Sequence, residues 1–118
     1  MEITVSDFGE MGKLVTLVGR LDILGAEKID LPLAVVAGSR TSIVIDMGAV
    51  DFIASIGIRH LVLAAKTVAR NSRILVLLNP KPLVSDVLLT AGLQTILPIV
   101  RSQQEAEATL SRYAPAGR

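Results

Sequence analysis

Two short apolar runs with one amphipathic segment between them constrain the fold more than any other feature of the chain. The runs Thr41–Asp46 and Arg73–Asn79 are almost continuously apolar, as expected for strands that are covered on both faces. Between them, Ile56–Arg70 carries its apolar residues at the i, i+3, i+4, i+7 spacing of a helix that buries one face. Strand, helix and strand in this order usually form parallel strands joined by a crossover helix. The sequence therefore predicts an α/β fold with parallel central strands.

The start of the chain predicts an antiparallel addition to that sheet. Glu2–Val5 and Lys13–Arg20 have the composition of strands. The segment Gly9–Gly12 between them begins and ends with glycine, which tolerates the positive φ angles of tight turns. Together these segments predict an opening β-hairpin.

A helical spacing follows over Ile23–Ala37, but Pro32 lies inside it. Proline removes a backbone donor and clashes with the preceding turn. We therefore expect this helix either to kink at Pro32 or to begin late, near Asp30. Asp22 is predicted to be the N-cap of the helix, and Gly38 is predicted to be its C-cap glycine.

The last part of the chain predicts two more helices and an edge strand. A helix opens within Pro80–Pro82 and ends at Gly92. A short strand follows over Ile96–Val100, and its Pro98 cannot donate to a ladder, which predicts an edge position. Ser102–Glu105 has the spacing of a capping box at the start of a final helix. The inward face of that helix is predicted to hold Ala106, Leu110 and Tyr113, and residues 114–118 are expected to fray. The predicted order is ββαβαβαβα, with about five strands in a mixed, mostly parallel sheet and about four helices.

Composition places the chain among intracellular globular proteins. Of its 118 residues, 51% are apolar and 19% are charged, and the net charge is +1 without a basic run. This balance does not favour a nucleic-acid partner. The uncharged run Val87–Val100 is shorter than the roughly 20 residues of a membrane helix, and a signal-peptide pattern is absent. We therefore expect one domain over residues 1–118, cytoplasmic and not inserted in a membrane.

The residue types do not predict a catalytic, metal or cofactor site. The absence of cysteine excludes disulfides, zinc thiolate sites and cysteine nucleophiles. The one histidine, His60, would need an orienting carboxylate and an oxyanion hole to activate a serine nucleophile, and the G-x-S-x-G elbow is absent from the sequence. Glycine motifs that cradle phosphates are absent, and Asp46 and Asp51 are more typical of capping and solvated groups. We therefore do not expect an enzyme, and a small-molecule binder ranks last among the candidate functions.

Ser55 is the residue that most influences the functional prediction, because it precedes the amphipathic helix. A serine there commonly caps the helix, since its oxygen satisfies an orphan backbone N–H. The same position also favours an anion such as phosphate. The apolar neighbours Ile53, Ala54, Ile56 and Ile58 are too many for one loop to bury completely, which indicates a docking surface that a phosphate would disturb.

The order of four motifs resembles the STAS domain family, in particular the bacterial anti-sigma factor antagonists. Gly19–Asp22 matches the family's G-x-L-D. Ile43–Ile53 is similar to the strand and loop before the switch serine, and Ala54–Gly57 is similar to D-S-[ST]-G. Pro82–Leu93 is similar to the helix that ends in G-L. The resemblance covers nearly the whole chain.

In that family, the first serine of D-S-[ST]-G is phosphorylated by a partner that is both an anti-sigma factor and a serine kinase, a GHKL-type ATPase. The unphosphorylated antagonist binds this kinase and frees a sigma factor or another client. Phosphorylation ends the binding, and a PP2C-type phosphatase restores it. The resemblance implies that Ser55 is the phosphoacceptor. It also implies a partner-binding face formed by Asp22, Ile53, Ala54, Ser55, Ile56, Gly57, Ile58 and Arg59.

Two positions depart from the family pattern. Ala54 replaces the aspartate before the serine, and Ile56 replaces the second hydroxyl residue. The change at Ala54 removes an acidic neighbour that a kinase could recognise. These departures keep an alternative open, in which the chain is a non-phosphorylated STAS scaffold or an accessory subunit of a signalling or lipid-transport complex.

Overall fold

A computed structural model of the chain describes residues 1–113, so the fraying predicted for residues 114–118 lies outside the described residues. The strands are β1 Glu2–Phe8, β2 Gly12–Leu21, β3 Ser42–Ile53, β4 Leu75–Leu78 and β5 Ile99–Val100. The helices are α1 Ile23–Ala37, α2 Ser55–Arg70, α3 Pro82–Thr90 and α4 Gln103–Ser111. The predicted order of strands and helices is confirmed.

The five strands form one sheet in the order β1-β2-β3-β4-β5. β1 and β2 pair antiparallel, and the other neighbours pair parallel, so the predicted mixed and mostly parallel sheet is confirmed. Side chains alternate across β3. Ile43 and Ile45 join the larger core with α1, α2 and α3, whereas Val44 faces α4 on the other side. Because both faces are covered, the strand reads as a continuous apolar run.

β3 is twice as long as predicted, since it does not end at Asp46 but continues to Ile53. The Asp46 carboxylate accepts a hydrogen bond from the Gly48 N–H at 2.9 Å, inside the strand. The pairing with β2 shifts register at two places along this stretch, which is how a strand absorbs irregular positions without ending. Asp46, with Gly48 two residues later, resembles a strand end in the sequence, although Met47 and Val50 are fully buried.

α1 is a single helix that passes through Pro32, so the predicted late start near Asp30 is wrong. Asp22 is the N-cap, as predicted, and its carboxylate accepts from the Gly25 N–H at 2.9 Å. Pro32 is exposed, so the carbonyl that loses its helical donor lies on the solvent side. Gly38 is the C-cap residue, but its φ of −81° is not left-handed.

The last elements fix the far edge of the sheet. β5 contains only two residues and lies at the edge, as Pro98 predicted. Ser102 caps α4 by accepting from the Glu105 N–H at 3.1 Å, which confirms the predicted helix start. Ala106 and Leu110 are buried, but Tyr113 is exposed and does not belong to the inward face.

Candidate partner-binding site

The chain passes from β3 to α2 through the single residue Ala54, which is the N-cap of α2. Ser55 is already the first helical residue, so the prediction that Ser55 caps the helix is wrong. Ala54 has an extended backbone, with φ −102° and ψ 166°, and its methyl group cannot cap. Its N–H donates to the Leu21 carbonyl at 2.9 Å. The pairing of β2 with β3 therefore continues up to the residue before Ser55.

Ser55 is exposed at the positive end of an uncapped helix. The first N–H groups of a helix have no partner within it, and here the N-cap side chain supplies no acceptor. The first turn of α2 also contains no acidic residue. The Ser55 hydroxyl is therefore open to solvent at a position where a negative charge is favoured by unsatisfied donors and by the helix dipole.

The residues predicted to form the docking face divide into surface and interior positions. Ser55 and Arg59 are exposed, and Ala54, Ile56 and Ile58 are partly exposed. Ile53, in contrast, is only 6% exposed and belongs to the core.

Gly57 is buried for a packing reason. A Cβ atom at Gly57 would lie 2.5 Å from the Cγ atom of Leu21, so glycine allows the start of α2 to approach the end of β2. The structure thus places Ile53 and Gly57 beneath the surface, where they shape the site without offering a side chain to a partner.

A charged and aromatic cluster at the ends of β2 and β3, three residues before Ser55 in the chain, was not predicted from the sequence. Arg20 pairs with Phe52 across β2 and β3, and the Arg20 guanidinium lies over the Phe52 ring at 4.3 Å from its centroid. Phe52 is 40% exposed, and the Arg20 Nε atom lies 3.5 Å from an Asp22 carboxylate oxygen. Because β3 was expected to end early, the alternation that turns Phe52 outward was not recognised.

Two ionised carboxylates frame this cluster. The hydrogen bond from the Gly25 N–H lowers the pKa of Asp22, and Arg20 lowers it further. On the other side, the Lys81 ammonium contacts the Asp51 carboxylate at 2.6 Å. That hydrogen bond and the charge of Lys81 lower the pKa of Asp51. The ion pair joins the end of β3 to the N-cap of α3, so the surface beside Ser55 is tied to two neighbouring elements.

The residues expected to carry no chemistry occupy structural positions. The His60 Nδ1 atom lies 3.4 Å from an Asp30 oxygen, which links α2 to α1. Asp46 lies within β3 and bonds its own strand. A groove of about 910 Å³ lies at the opposite end of the sheet, beside Gly9, Arg40 and Tyr113. Within residues 1–113, His, Asp and Glu side chains do not form a group of three that could hold a metal ion.

In the part of the chain that the structure covers, every helix is too short or too polar to span a membrane.

The chain is similar in sequence to known proteins. The STAS domain family model matches residues 5–106. BtrV of Bordetella bronchiseptica, which is named as an anti-sigma factor antagonist, is 30% identical over 116 residues, and the match covers 98% of this chain and 99% of BtrV. The chain belongs to the STAS domain family. The resemblance seen in the motifs is thereby confirmed.

Solved structures show the same fold at lower identity. An anti-sigma factor antagonist from Mycobacterium paratuberculosis superposes with a TM-score of 0.83 at 19% identity, over 93% of each chain. SpoIIAA, an anti-sigma factor antagonist, gives 0.77 at 20% identity in its unphosphorylated form, over 97% of this chain and all of SpoIIAA. Phosphorylated SpoIIAA, from Bacillus, gives 0.70 at 16% identity, over 92% of this chain and 99% of SpoIIAA. This STAS domain therefore shares its fold with SpoIIAA, which is known in an unphosphorylated and a phosphorylated form.

Proposed function

We propose that this STAS domain is an anti-sigma factor antagonist in a partner-switching pathway, located in the cytoplasm. In the unphosphorylated state it binds an anti-sigma factor that is also a serine kinase of the GHKL-type ATPase class, and phosphorylation of Ser55 releases it. The observation that carries the proposal is the exposed Ser55 hydroxyl at the first residue of α2, three residues after the exposed Phe52 of the Arg20–Phe52 pair. The relationship to BtrV and the phosphorylated form of SpoIIAA support it.

The chain acts in this proposal by binding, and the kinase performs the chemistry. The Ser55 oxygen attacks the γ-phosphorus of ATP, ADP leaves, and the hydroxyl proton is lost to the kinase. The phosphoserine carries about −1.5 to −2 charges at neutral pH. Partly exposed Ile56 and exposed Phe52 lie close to Ser55 in the chain, so an interface over them would have to desolvate this charge. The desolvation cost weakens the complex, and a PP2C-type phosphatase restores binding by hydrolysing the phosphoserine.

The phosphorylation site is tested by intact-mass measurement after incubation with the cognate kinase and ATP. We expect one added phosphoryl group on the wild-type chain and none on Ser55→Ala. Ser6→Ala is the matched control, because Ser6 is an exposed serine on the edge strand β1, and it should be phosphorylated like the wild type. A phosphoryl group retained by Ser55→Ala would exclude the assignment.

The switch is tested separately with Ser55→Glu. We expect this variant to keep the circular-dichroism spectrum of the wild type and to unfold at an equal or slightly higher midpoint, because the side chain is exposed and a negative charge is favourable at this helix start. We also expect it to bind the kinase more weakly by calorimetry. Unchanged affinity would show that a negative charge at Ser55 does not control binding.

The second candidate is a non-phosphorylated scaffold or accessory subunit of a signalling or lipid-transport complex. It is favoured by Ile56, which is partly exposed where the family has a second hydroxyl residue, and by Ala54 in place of an acid. Both side chains enlarge the apolar character of the surface, which suits a constitutive interface. A complex that forms equally well with wild type and Ser55→Glu, without phosphorylation, would favour this function.

A further inference from the structure

Charge is distributed unequally along helix α2. The helix Ser55–Arg70 contains Arg59, Lys66 and Arg70, and it contains no carboxylate. The whole chain, in contrast, has a net charge of only +1. The solvent face of a helix usually carries both signs, because acid and base pairs at i, i+4 stabilise it. α2 therefore concentrates positive charge that the rest of the chain offsets.

The three cations lie on one side of the helix. At about 100° per residue, Ser55, Arg59, Lys66 and Arg70 fall within roughly 60° of the helix circumference, along about 22 Å of its length. All four are exposed, and Leu63 lies beside them with 51% of its surface exposed. We call Arg59, Lys66, Arg70 and Leu63 the α2 ribbon, and Ser55 lies at its N-terminal end.

The charges of the ribbon are not neutralised within residues 1–113. The ion pairs there use Lys13, Arg20 and Lys81 as their cations. Asp30 on the neighbouring helix α1 is engaged by His60. Lys66 and Arg70 are four residues apart, a spacing at which like charges repel and destabilise a helix. Arg70 also lies in the last turn of α2, where the helix dipole favours a cation, but the repulsion between Lys66 and Arg70 remains and an acidic partner would relieve it.

We propose that the α2 ribbon is a docking surface for an acidic patch on the anti-sigma factor kinase, with Leu63 filling a shallow apolar site between the acidic side chains. This inference rests on the proposed function, because it extends the interface from Ser55 along the whole of α2. Charge complementarity identifies the occupant, since an all-cationic ribbon attracts carboxylates and repels basic surfaces. An exposed leucine in the middle of the ribbon suits a protein surface, whereas nucleic-acid backbones are contacted through cations and polar groups.

Docking and switching separate along the helix. Lys66 and Arg70 lie about 16 and 22 Å from Ser55 along the axis at 1.5 Å per residue. Since the Debye length is about 8 Å at physiological salt, a phosphate on Ser55 offsets mainly the charge of Arg59. The distal cations therefore keep their attraction for the kinase after phosphorylation. The binding free energies contributed by Lys66 and Arg70 should therefore add to the effect of a change at Ser55, as for distant sites that do not interact.

The probe for the test is the purified kinase that phosphorylates Ser55, with binding rates measured over a series of salt concentrations. Lys66→Glu and Arg70→Glu are each expected to lower affinity about three- to tenfold, mostly through the association rate, with a shallower salt dependence. Lys28→Glu is the matched control, because Lys28 is an exposed cation on α1, and it should bind like the wild type. Circular dichroism of each variant checks that the fold is retained.

The outcomes separate this inference from the proposed function. Affinity that is unchanged in Lys66→Glu and Arg70→Glu, with Ser55→Glu still weakened, overturns the ribbon and leaves the switch. Loss of affinity in the charge-reversal variants, with Ser55→Glu unchanged, supports the ribbon and refutes the switch. A mixed-sequence DNA duplex that binds the ribbon as tightly as the kinase does would overturn the protein assignment. A wild-type chain that does not bind the kinase refutes both.

Discussion

Replacing Gly57 with alanine tests whether close packing beneath Ser55 positions the start of α2. A Cβ atom at Gly57 would lie 2.5 Å from the Leu21 Cγ atom and 3.0 Å from its Cδ2 atom and from its carbonyl oxygen. Leu21 is fully buried, so its side chain cannot move aside into solvent. Relief of the clash therefore requires a shift of α2 or of the end of β2, and either shift moves Ser55.

The expected magnitude is a balance between two effects. Overpacking a core costs about 1–3 kcal/mol, whereas glycine to alanine in a helix gains up to about 1 kcal/mol. Gly57 is the third residue of α2, so the helical gain is reduced by its position in the first turn. We expect Gly57→Ala to lower the free energy of unfolding by about 1–2 kcal/mol, which corresponds to a midpoint roughly 4–8 °C lower.

The measurement is thermal and urea unfolding followed by circular dichroism. Ala69→Gly is the control for helical propensity, because Ala69 is an exposed position of the same helix. The change in its free energy of unfolding measures the difference in helix propensity between alanine and glycine without a change in core packing. The Leu21→Ala background is the control for the clash. Leu21→Ala alone should lower the free energy of unfolding by about 2–5 kcal/mol. Adding Gly57→Ala to this variant should cost little more, because the Leu21 side chain that the new methyl group would contact is gone. A raised midpoint for Gly57→Ala, or an equal loss in both backgrounds, would refute the reasoning.

Three further predictions concern the surface and the helices. The hydrogen bond and charge of Lys81 lower the pKa of Asp51 from its ordinary value of 3.8. The ionised Asp51 therefore stabilises the fold above pH 3.8, and this stabilisation is lost as the pH falls through the lowered pKa. In Asp51→Asn, the unfolding midpoint should therefore depend less steeply on pH in the acid range. Phe52→Ala should weaken kinase binding about tenfold or more, as for an aromatic hot spot, with Tyr113→Ala as an unaffected control at the far end of the sheet. Pro32→Ala should raise the free energy of unfolding by about 1–3 kcal/mol, because it restores a helical donor in α1, and unchanged urea unfolding would contradict this.

The fold was predictable because its main signals are local. The amphipathic spacing of α2 and the double-sided burial of the central strands are readable without tertiary information, and the Ser102 capping box fixes the start of α4. The errors arose where tertiary packing overrides local preference. Pro32 is accommodated in α1 because the carbonyl one turn earlier, which it leaves without a donor, lies on the solvent side. β3 continues past Asp46 because β2 pairs with it through two register shifts.

The candidate site was predictable only in part, for a related reason. The position of Ser55 followed from the motif, but the roles of its neighbours depend on which face of β3 each one occupies. An early strand end hides the alternation that buries Ile53 and exposes Phe52. The Arg20–Phe52 contact joins residues 32 positions apart in the chain, and register between two strands cannot be inferred from either strand alone. The unbalanced charge of α2, in contrast, is visible in the sequence once the helix is known.

Under the proposed function, Ala54 and Ser55 together would suit a phosphorylation switch despite the departure of Ala54 from the family motif. A serine that caps a helix uses its oxygen as an acceptor for a backbone N–H, and a kinase would have to break that bond. Here Ser55 lies one residue inside α2, so its hydroxyl is not needed for capping. Ala54 occupies the N-cap without an acceptor, at a cost of about 0.5–2 kcal/mol relative to aspartate or serine. A phosphate on Ser55 would supply the anion that this helix end lacks. Ala54 removes an acidic neighbour that a kinase could recognise, but it also leaves the helix start without a competing negative charge, which stabilises the phosphorylated form.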